Sequence, residues 1–462
     1  MAEKVLFLNP PGVKIYIRDY YCSKVSKAYY LPQPVDLLMQ TGFFAQKGYQ
    51  LKVVDAIAEK LTVKATNAQI KEFQPDLIIT LCGSVSFGED EAFFQQLKNE
   101  IPQTKILSSG DLFLEDPEYF LKCHPWLDGI ITDFFSDCSL KYLEGSTHFI
   151  NGLVTRENGK PATSNGKQKW IDIPRPSHEL FKNHLYRMPF ANQYPMATVL
   201  TNYACPYPCT FCIMSTLEFK SREPNQVMEE LLFLKENGIR YLYFSDQTFY
   251  LHREATEKIL NFMIEEELGF SWVCFSRVDV LDEDKMRKMK AAGCNVIMFG
   301  VEWAEDEYCQ KYKKQYTLAQ VKNTFELAKK VGIKRMGTFL IGVPGQSAQS
   351  IKNTVNFAIQ INADYASFNV AVPRANTSFR SEAIEQGLIS PDERVMDQSG
   401  SFITMGTGLV SPEEIMSLKK EAYRRFYFRP TYLAKRLLEI ENYQELKTHL
   451  REGYHILKSL IG

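Results

Sequence analysis

Ala197-Thr-Val-Leu-Thr201 is an apolar, β-branched run that leads directly into Asn202-Tyr-Ala-Cys205-Pro-Tyr-Pro-Cys209-Thr-Phe-Cys212. The run has the composition of a buried strand, and the Pro- and Cys-rich stretch after it is a loop. Five more strand patterns follow, at Tyr241–Ser245, Ser271–Ser276, Asn295–Gly300, Arg335–Ile341 and Tyr365–Val372. Helical patterns separate them, for example Pro224–Asn237, Asp284–Ala292 and Leu318–Val331. Six strand–helix units in about 180 residues predict a partial (β/α)6 TIM-type barrel over residues 193–385, with its chemistry at the carboxyl ends of the strands. The cysteine loop lies at the first of those ends.

A second strand–helix alternation precedes the barrel. Strand patterns occur at Val5–Leu8, Gln50–Asp55, Asp76–Leu81, Lys105–Leu107 and Gly129–Thr132, with helical patterns at Val35–Lys47, Ala65–Phe73 and Asp90–Glu100. This rhythm predicts an α/β fold with a Rossmann-like parallel sheet over residues 1–145, covered on both faces, and ligands beyond the carboxyl ends of its strands. Residues 146–192 carry Asn, Gly, Pro and Lys clusters such as Glu157-Asn-Gly-Lys-Pro161, and read as a connecting segment with one hairpin. Residues 386–462 read as a helical C-terminal region, clearest at Ser411–Arg425.

The 462 residues carry 54 basic and 55 acidic side chains, a net charge of −1, which argues against bulk electrostatic binding of nucleic acid. No apolar run approaches the roughly 20 residues of a membrane span. The start lacks a signal-peptide pattern, so a cytoplasmic protein is expected. Its ten cysteines then read as thiols or metal ligands rather than disulfides.

Cys205, Cys209 and Cys212 have C-x3-C-x2-C spacing on one loop. Thiolates are the usual ligands of iron–sulfur clusters, normally four per cubane. Three ligands leave one iron open to a small chelating molecule. A zinc site is the alternative, but zinc prefers four ligands in closely spaced pairs, and His178, His184 and His252 are distant in sequence. The other seven cysteines show no second cluster spacing, and most of them read as small buried hydrophobes.

The motif and its position resemble the radical S-adenosylmethionine (SAM) superfamily, and Phe211 before the third cysteine fits as well. The resemblance implies a 4Fe-4S cluster on the three cysteines, SAM on the open iron, and reductive cleavage of SAM to a 5′-deoxyadenosyl radical. It also implies SAM contacts at later strand ends: Asp246 after the second, Arg277 after the third, Glu302 after the fourth, and the Gly337–Ile341 backbone of the fifth. Each is a weak signal, since Arg277 or Glu302 reads equally as a surface ion pair. Their common placement at strand ends, in order, carries the weight.

Residues 1 to about 430 resemble the branch in which a cobalamin-binding domain precedes the radical domain, which includes methylases of unactivated carbon and the anaerobic cyclase of bacteriochlorophyll synthesis. The likeness rests on Leu8-Asn-Pro-Pro11, Gly48–Lys60, Pro75–Ile79 and Phe426-Tyr-Phe-Arg-Pro430. It implies cobalamin contacts at Ser84, Ser86, Ser109 and Gly110. The chain lacks the Asp-x-His-x-x-Gly cobalt-ligand motif. It also has Ser109-Gly110-Asp-Leu and Thr132–Ser136 where the branch often has Gly-Gly followed by His-Pro, and Gly-Glu-Gly-Glu.

The expected function is a cobalamin-dependent C-methyltransferase acting on a small-molecule or lipid-like substrate, with a flavodoxin- or ferredoxin-type electron donor. An oxidoreductase, cyclase or rearrangement enzyme of the same branch is the alternative, and a non-catalytic redox sensor is a third reading. Arg374, after the sixth strand, is a candidate for an anionic group. Lys419-Lys420 and Arg424-Arg425 beside Phe426–Phe428 read as a solvated helix edge.

Overall fold

The computed structural model describes residues 3–26, 30–146, 149–157, 169–394, 397, 405–439 and 453. Its first sheet contains β1 (Lys4–Asn9), β2 (Gln50–Asp55), β3 (Leu77–Leu81), β4 (Lys105–Ser109), β5 (Gly129–Ile131) and β6 (Leu153–Thr155). Their spatial order is β2-β1-β3-β4-β5-β6. The first five strands are parallel. All five residues of β3 are buried, as a strand covered by helices on both faces requires. The sequence turns outward on either side of β1, so a crevice opens between the carboxyl ends of β1 and β3, where doubly wound sheets bind ligands.

This sheet runs past residue 145. Strand β6 pairs antiparallel with β5, Leu153 opposite Ile131, because Leu153 and Val154 bury against the sheet. A three-residue strand is too short to show a period, and the sequence reading left it in the connector. The rest of the Glu157–Pro161 turn lies outside the described residues.

The second sheet contains β7 (Met196–Val199), β8 (Tyr241–Phe244), β9 (Ser271–Ser276), β10 (Cys294–Glu302), β11 (Lys334–Ile341) and β12 (Tyr365–Val370). They pair in sequence order and all in parallel, the partial barrel expected. Local signals start its helices. Thr317 and Gln320 form a capping box ahead of Leu318–Val331, and the Asp282 carboxylate accepts from Lys285 N ahead of Glu283–Ala291. One apolar core joins the two sheets: Val5, Phe7 and Leu77 belong to the same cluster as Tyr241, Val273 and Val296.

A small sheet frames the cysteine loop. Asn202–Tyr203 pairs antiparallel with Lys220–Arg222, which pairs parallel with Lys169–Ile171. Beyond the barrel, helices Ser378–Glu385, Pro412–Tyr427 and Pro430–Leu438 are present. The expected helical character of residues 440–462 falls outside the described residues, apart from Gly453. The basic aromatic stretch is a solvated edge at Lys420 and Arg424, which are exposed, but not throughout. Lys419 and Phe426 are buried, and the Tyr423 and Tyr427 hydroxyls accept from Phe368 N at 3.3 Å and Ala366 N at 3.0 Å, holding β12. Among the described residues no helix is long and apolar enough to cross a membrane.

Candidate active site at the cysteine loop

Strand β7 delivers the chain to Asn202–Tyr203, and Ala204 then takes a left-handed conformation, φ 63°, that turns the chain into the loop. The loop is closed on itself. Cys212 N donates to Cys209 O at 3.1 Å, Cys205 N donates to Met214 O at 3.3 Å, and the Ser215 hydroxyl donates to the carbonyls of Cys209 (3.0 Å) and Cys212 (2.7 Å). Two neighbours brace it: Thr210 N donates to Tyr312 O and Phe379 N to Thr210 O.

All three thiols are free of disulfides. Burial raises the Cys205 thiol and pushes Cys212 up to about 12. Left to themselves they stay protonated, and metal binding would have to expel the protons. Cys209 Sγ lies 3.6 Å from Nη1 of Arg277, and Cys205 Sγ lies 3.7 Å from the Thr248 hydroxyl. Two buried polar atoms beside the loop, Asn202 Oδ1 and Trp303 Nε1, have no hydrogen-bond partner. Unsatisfied polar atoms bordering a set of convergent thiols fit a missing ligand. Among the described residues no three His, Cys, Asp or Glu side chains converge tightly enough for a single metal ion. A cubane, whose ligands attach to separate iron atoms at its corners, asks for a wider set.

Phe211 packs edge-on against Trp303 with centroids 5.4 Å apart. Arg277 chelates Asp279 at 2.9 and 2.8 Å, stacks on Tyr207 and faces Cys209, so it is no surface ion pair. Glu302 accepts from Lys314 Nζ at 2.7 Å. Asp246 does not point a free carboxylate into the site: it accepts from Thr201 N (2.7 Å), the Thr201 hydroxyl (2.5 Å) and Asn202 N (3.2 Å), anchoring the strand that enters the loop. Burial still raises its pKa to about 6. Gly337 lies within β11 rather than at its end, where a Cβ would meet the Phe339 ring at 2.6 Å. Ile341 packs outward against Ile351, Val370 and Ile415, leaving only its backbone on the barrel side.

The hydroxyls at the carboxyl ends of the first sheet are held by buried carboxylates. Ser84 bonds Asp111, Ser86 bonds Asp90 and Ser109 bonds Asp36. A Cβ on Gly110 would lie 1.8 Å from Cys82 O, so that glycine serves a close backbone approach. Arg374 meets an anion, but one of this chain: it donates to Asp111 at 3.2 Å and contacts Cys22 Sγ.

A small cleft of about 20 Å³ lies between the two sheets, lined by Asn9, Tyr16, Arg18, Asp19, Gln33, Tyr243 and Ser245 among others. Asn9 ends β1, and Tyr243 and Ser245 lead along β8 to Thr248 beside Cys205. The cleft thus ends three residues short of Thr248, whose hydroxyl lies 3.7 Å from Cys205 Sγ.

Sequence reading missed Lys314, Thr248 and Trp303. Thr248 and Trp303 sit two residues or fewer beyond residues it did select. Lys314 follows a helix, away from any strand end, among four lysines between 311 and 322 that look alike as text.

Residues 199–358 match the family model of the radical SAM superfamily. Those residues are a radical SAM domain. The chain is 28% identical over 412 residues to an uncharacterized methyltransferase of Pyrococcus horikoshii, covering 85% of this chain and 87% of that protein. It is 21% identical over 453 residues to the anaerobic magnesium-protoporphyrin IX monomethyl ester cyclase of Rubrivivax gelatinosus, covering 93% and 78%. The radical SAM methyltransferase TsrM of Kitasatospora setae, solved with cobalamin and a [4Fe-4S] cluster, superposes with a TM-score of 0.68 at 16% identity over 99% of both chains. The chain therefore shares that fold.

Proposed function

We propose that the chain is a cobalamin-dependent radical SAM methyltransferase that methylates an unactivated carbon. The observation that carries this reading is the pairing of two sheets: a doubly wound parallel sheet packs through one apolar core against a barrel whose first strand leads into the three-cysteine loop, and doubly wound sheets take their ligands beyond their strand ends. Cys205, Cys209 and Cys212 would hold the cluster, with Arg277 and Thr248 against their sulfurs. Ser84, Ser86, Ser109 and Gly110, at the strand ends of the first sheet, would meet the corrin, since an amide-rich macrocycle wants hydrogen bonds rather than charge. When bound, the cluster supplies one electron to cleave SAM and cobalamin carries the methyl group. The chain's own contribution is to exclude water: Phe211, Trp303 and Tyr312 wall the loop with aromatic rings. With this reading go a small-molecule or lipid-like substrate, a separate flavodoxin- or ferredoxin-type electron donor and a cytoplasmic location.

A second reading, an oxidoreductase or cyclase without methyl transfer, is favoured by one observation. The hydroxyls of Ser84, Ser86 and Ser109 are already engaged by Asp111, Asp90 and Asp36. Protein reconstituted anaerobically with iron, sulfide and cobalamin separates the two. Bound corrin together with 5′-deoxyadenosine and a product heavier by one methylene supports the methyltransferase; 5′-deoxyadenosine with no corrin bound and no added mass supports the alternative.

A further inference from the structure

Lys314 is a lysine inside the protein, 7% exposed, where an uncompensated ammonium is costly. The backbone is bent to put it there: both of its neighbours, Lys313 (φ 53°) and Gln315 (φ 62°), occupy the left-handed region that side chains other than glycine rarely adopt. Such strain persists only where the surroundings impose it, and it clusters at functional sites. The surroundings are visible. Arg277 Nη2 donates to Lys314 O at 2.6 Å, and Tyr312 O receives Thr210 N of the cysteine loop. Glu302, itself left-handed at φ 64°, meets the ammonium at 2.7 Å. Gly300 leaves room for this pair, since a Cβ there would stand 2.7 Å from Glu302 Oε1 and 3.0 Å from Lys314 Nζ.

The ammonium also lies 5.5 Å from the centre of the Phe211 ring, between Cys209 and Cys212 in sequence. Its field acts on all three thiols of the loop. Burial works against its charge, but Glu302, Tyr316 and Cys209 hold it well above the ordinary lysine range.

Resting on the reading of the loop as a cluster site, we infer that Lys314 is a positioning residue that offsets the negative charge of the three cluster thiolates and raises the reduction potential of the cluster. Glu302 moderates that field while fixing the ammonium. A buried charge acts through low dielectric, so one unit of charge here weighs more than a surface lysine. The step it favours is the uptake of one electron by the oxidised cluster, which makes the cluster one unit more negative.

The test is a potentiometric titration of the reconstituted chain with dithionite, the reduced cluster followed by electron paramagnetic resonance. Lys314→Met should lower the midpoint potential, Lys314→Arg should restore most of it, and Glu302→Gln should move it upward. Opposite signs for two neighbouring variants cannot come from damaged folding. Equal midpoints in all four proteins, each with a full complement of iron and sulfide, overturn the inference. A parent chain that never gives a reduced-cluster signal overturns the reading of the loop along with it.

Discussion

Arg374 and Asp111 lie 263 positions apart in the chain and meet at 3.2 Å, both buried, across the junction of the two sheets. Asp111 also accepts from Ser23 N and Ser84 N, so one carboxylate fastens the barrel's last strand end, the loop after β1 and the end of β3. Removing one member of a buried pair leaves the other uncompensated, at about 3–5 kcal/mol. Arg374→Met is expected to lower the unfolding free energy, read from urea denaturation, by an amount in that range. The double variant with Asp111→Asn should recover most of the loss, and a double variant no better than the single one would show that the pair is not the fastening.

Cys209→Ala should abolish 5′-deoxyadenosine formation and reduce iron per chain to background after reconstitution, because three thiolates are the minimum that leaves a cubane one open iron. Cys274→Ala, at a thiol buried in the barrel core, serves as the control and should keep both. Iron retained in the Cys209 variant at the parent's level would refute the ligand assignment.

Asp364 receives hydrogen bonds from Arg335 and Lys435 at 2.8 and 2.6 Å. Burial works against its ionisation, but the bonds and charge of Arg335 hold it down to about 2, against 3.8 unperturbed. A carboxyl depressed in the folded state stabilises fully above its unfolded pKa and loses that contribution as pH falls from about 4 to about 2. Asp364→Asn should therefore cost about 2 kcal/mol at pH 7. The gap between variant and parent, followed by denaturant unfolding, should close over that acid window; a gap that stays constant to pH 2 counts against it.

Gly110→Ala should give little soluble protein, because its Cβ would fall 1.8 Å from Cys82 O and neither backbone can yield cheaply. Gly300→Ala should do the opposite. The atoms its Cβ meets are the far ends of two long side chains, Glu302 and Lys314, so the thermal midpoint should hold while the cluster potential shifts. A fall in stability equal to that of Gly110→Ala would show that the Glu302–Lys314 pair is rigid.

The alternation of strand and helix was legible because buried parallel strands are continuous apolar runs: Leu77–Leu81 and Tyr241–Phe244 stand out from their neighbours without any partner in view. The cysteines were legible because their spacing is local. What the sequence hides is which charges meet. Arg374 read as open to a ligand until Asp111, from another sheet, proved to occupy it. Asp246 stands at a strand end as a cofactor contact would, yet spends its oxygens on Thr201 and Asn202. Lys314 is set apart only by backbone torsions, which no residue name records.

The cysteine loop leaves the fold at Asn202–Tyr203 and returns at Lys220–Arg222, two segments paired directly with each other. Its ends are thus pinned by backbone hydrogen bonds that need no metal, and the two great apolar cores close on either side of it. A substitution inside the loop therefore leaves intact the seam that joins its two ends, so the loop can vary in sequence without unpicking the strands that carry it.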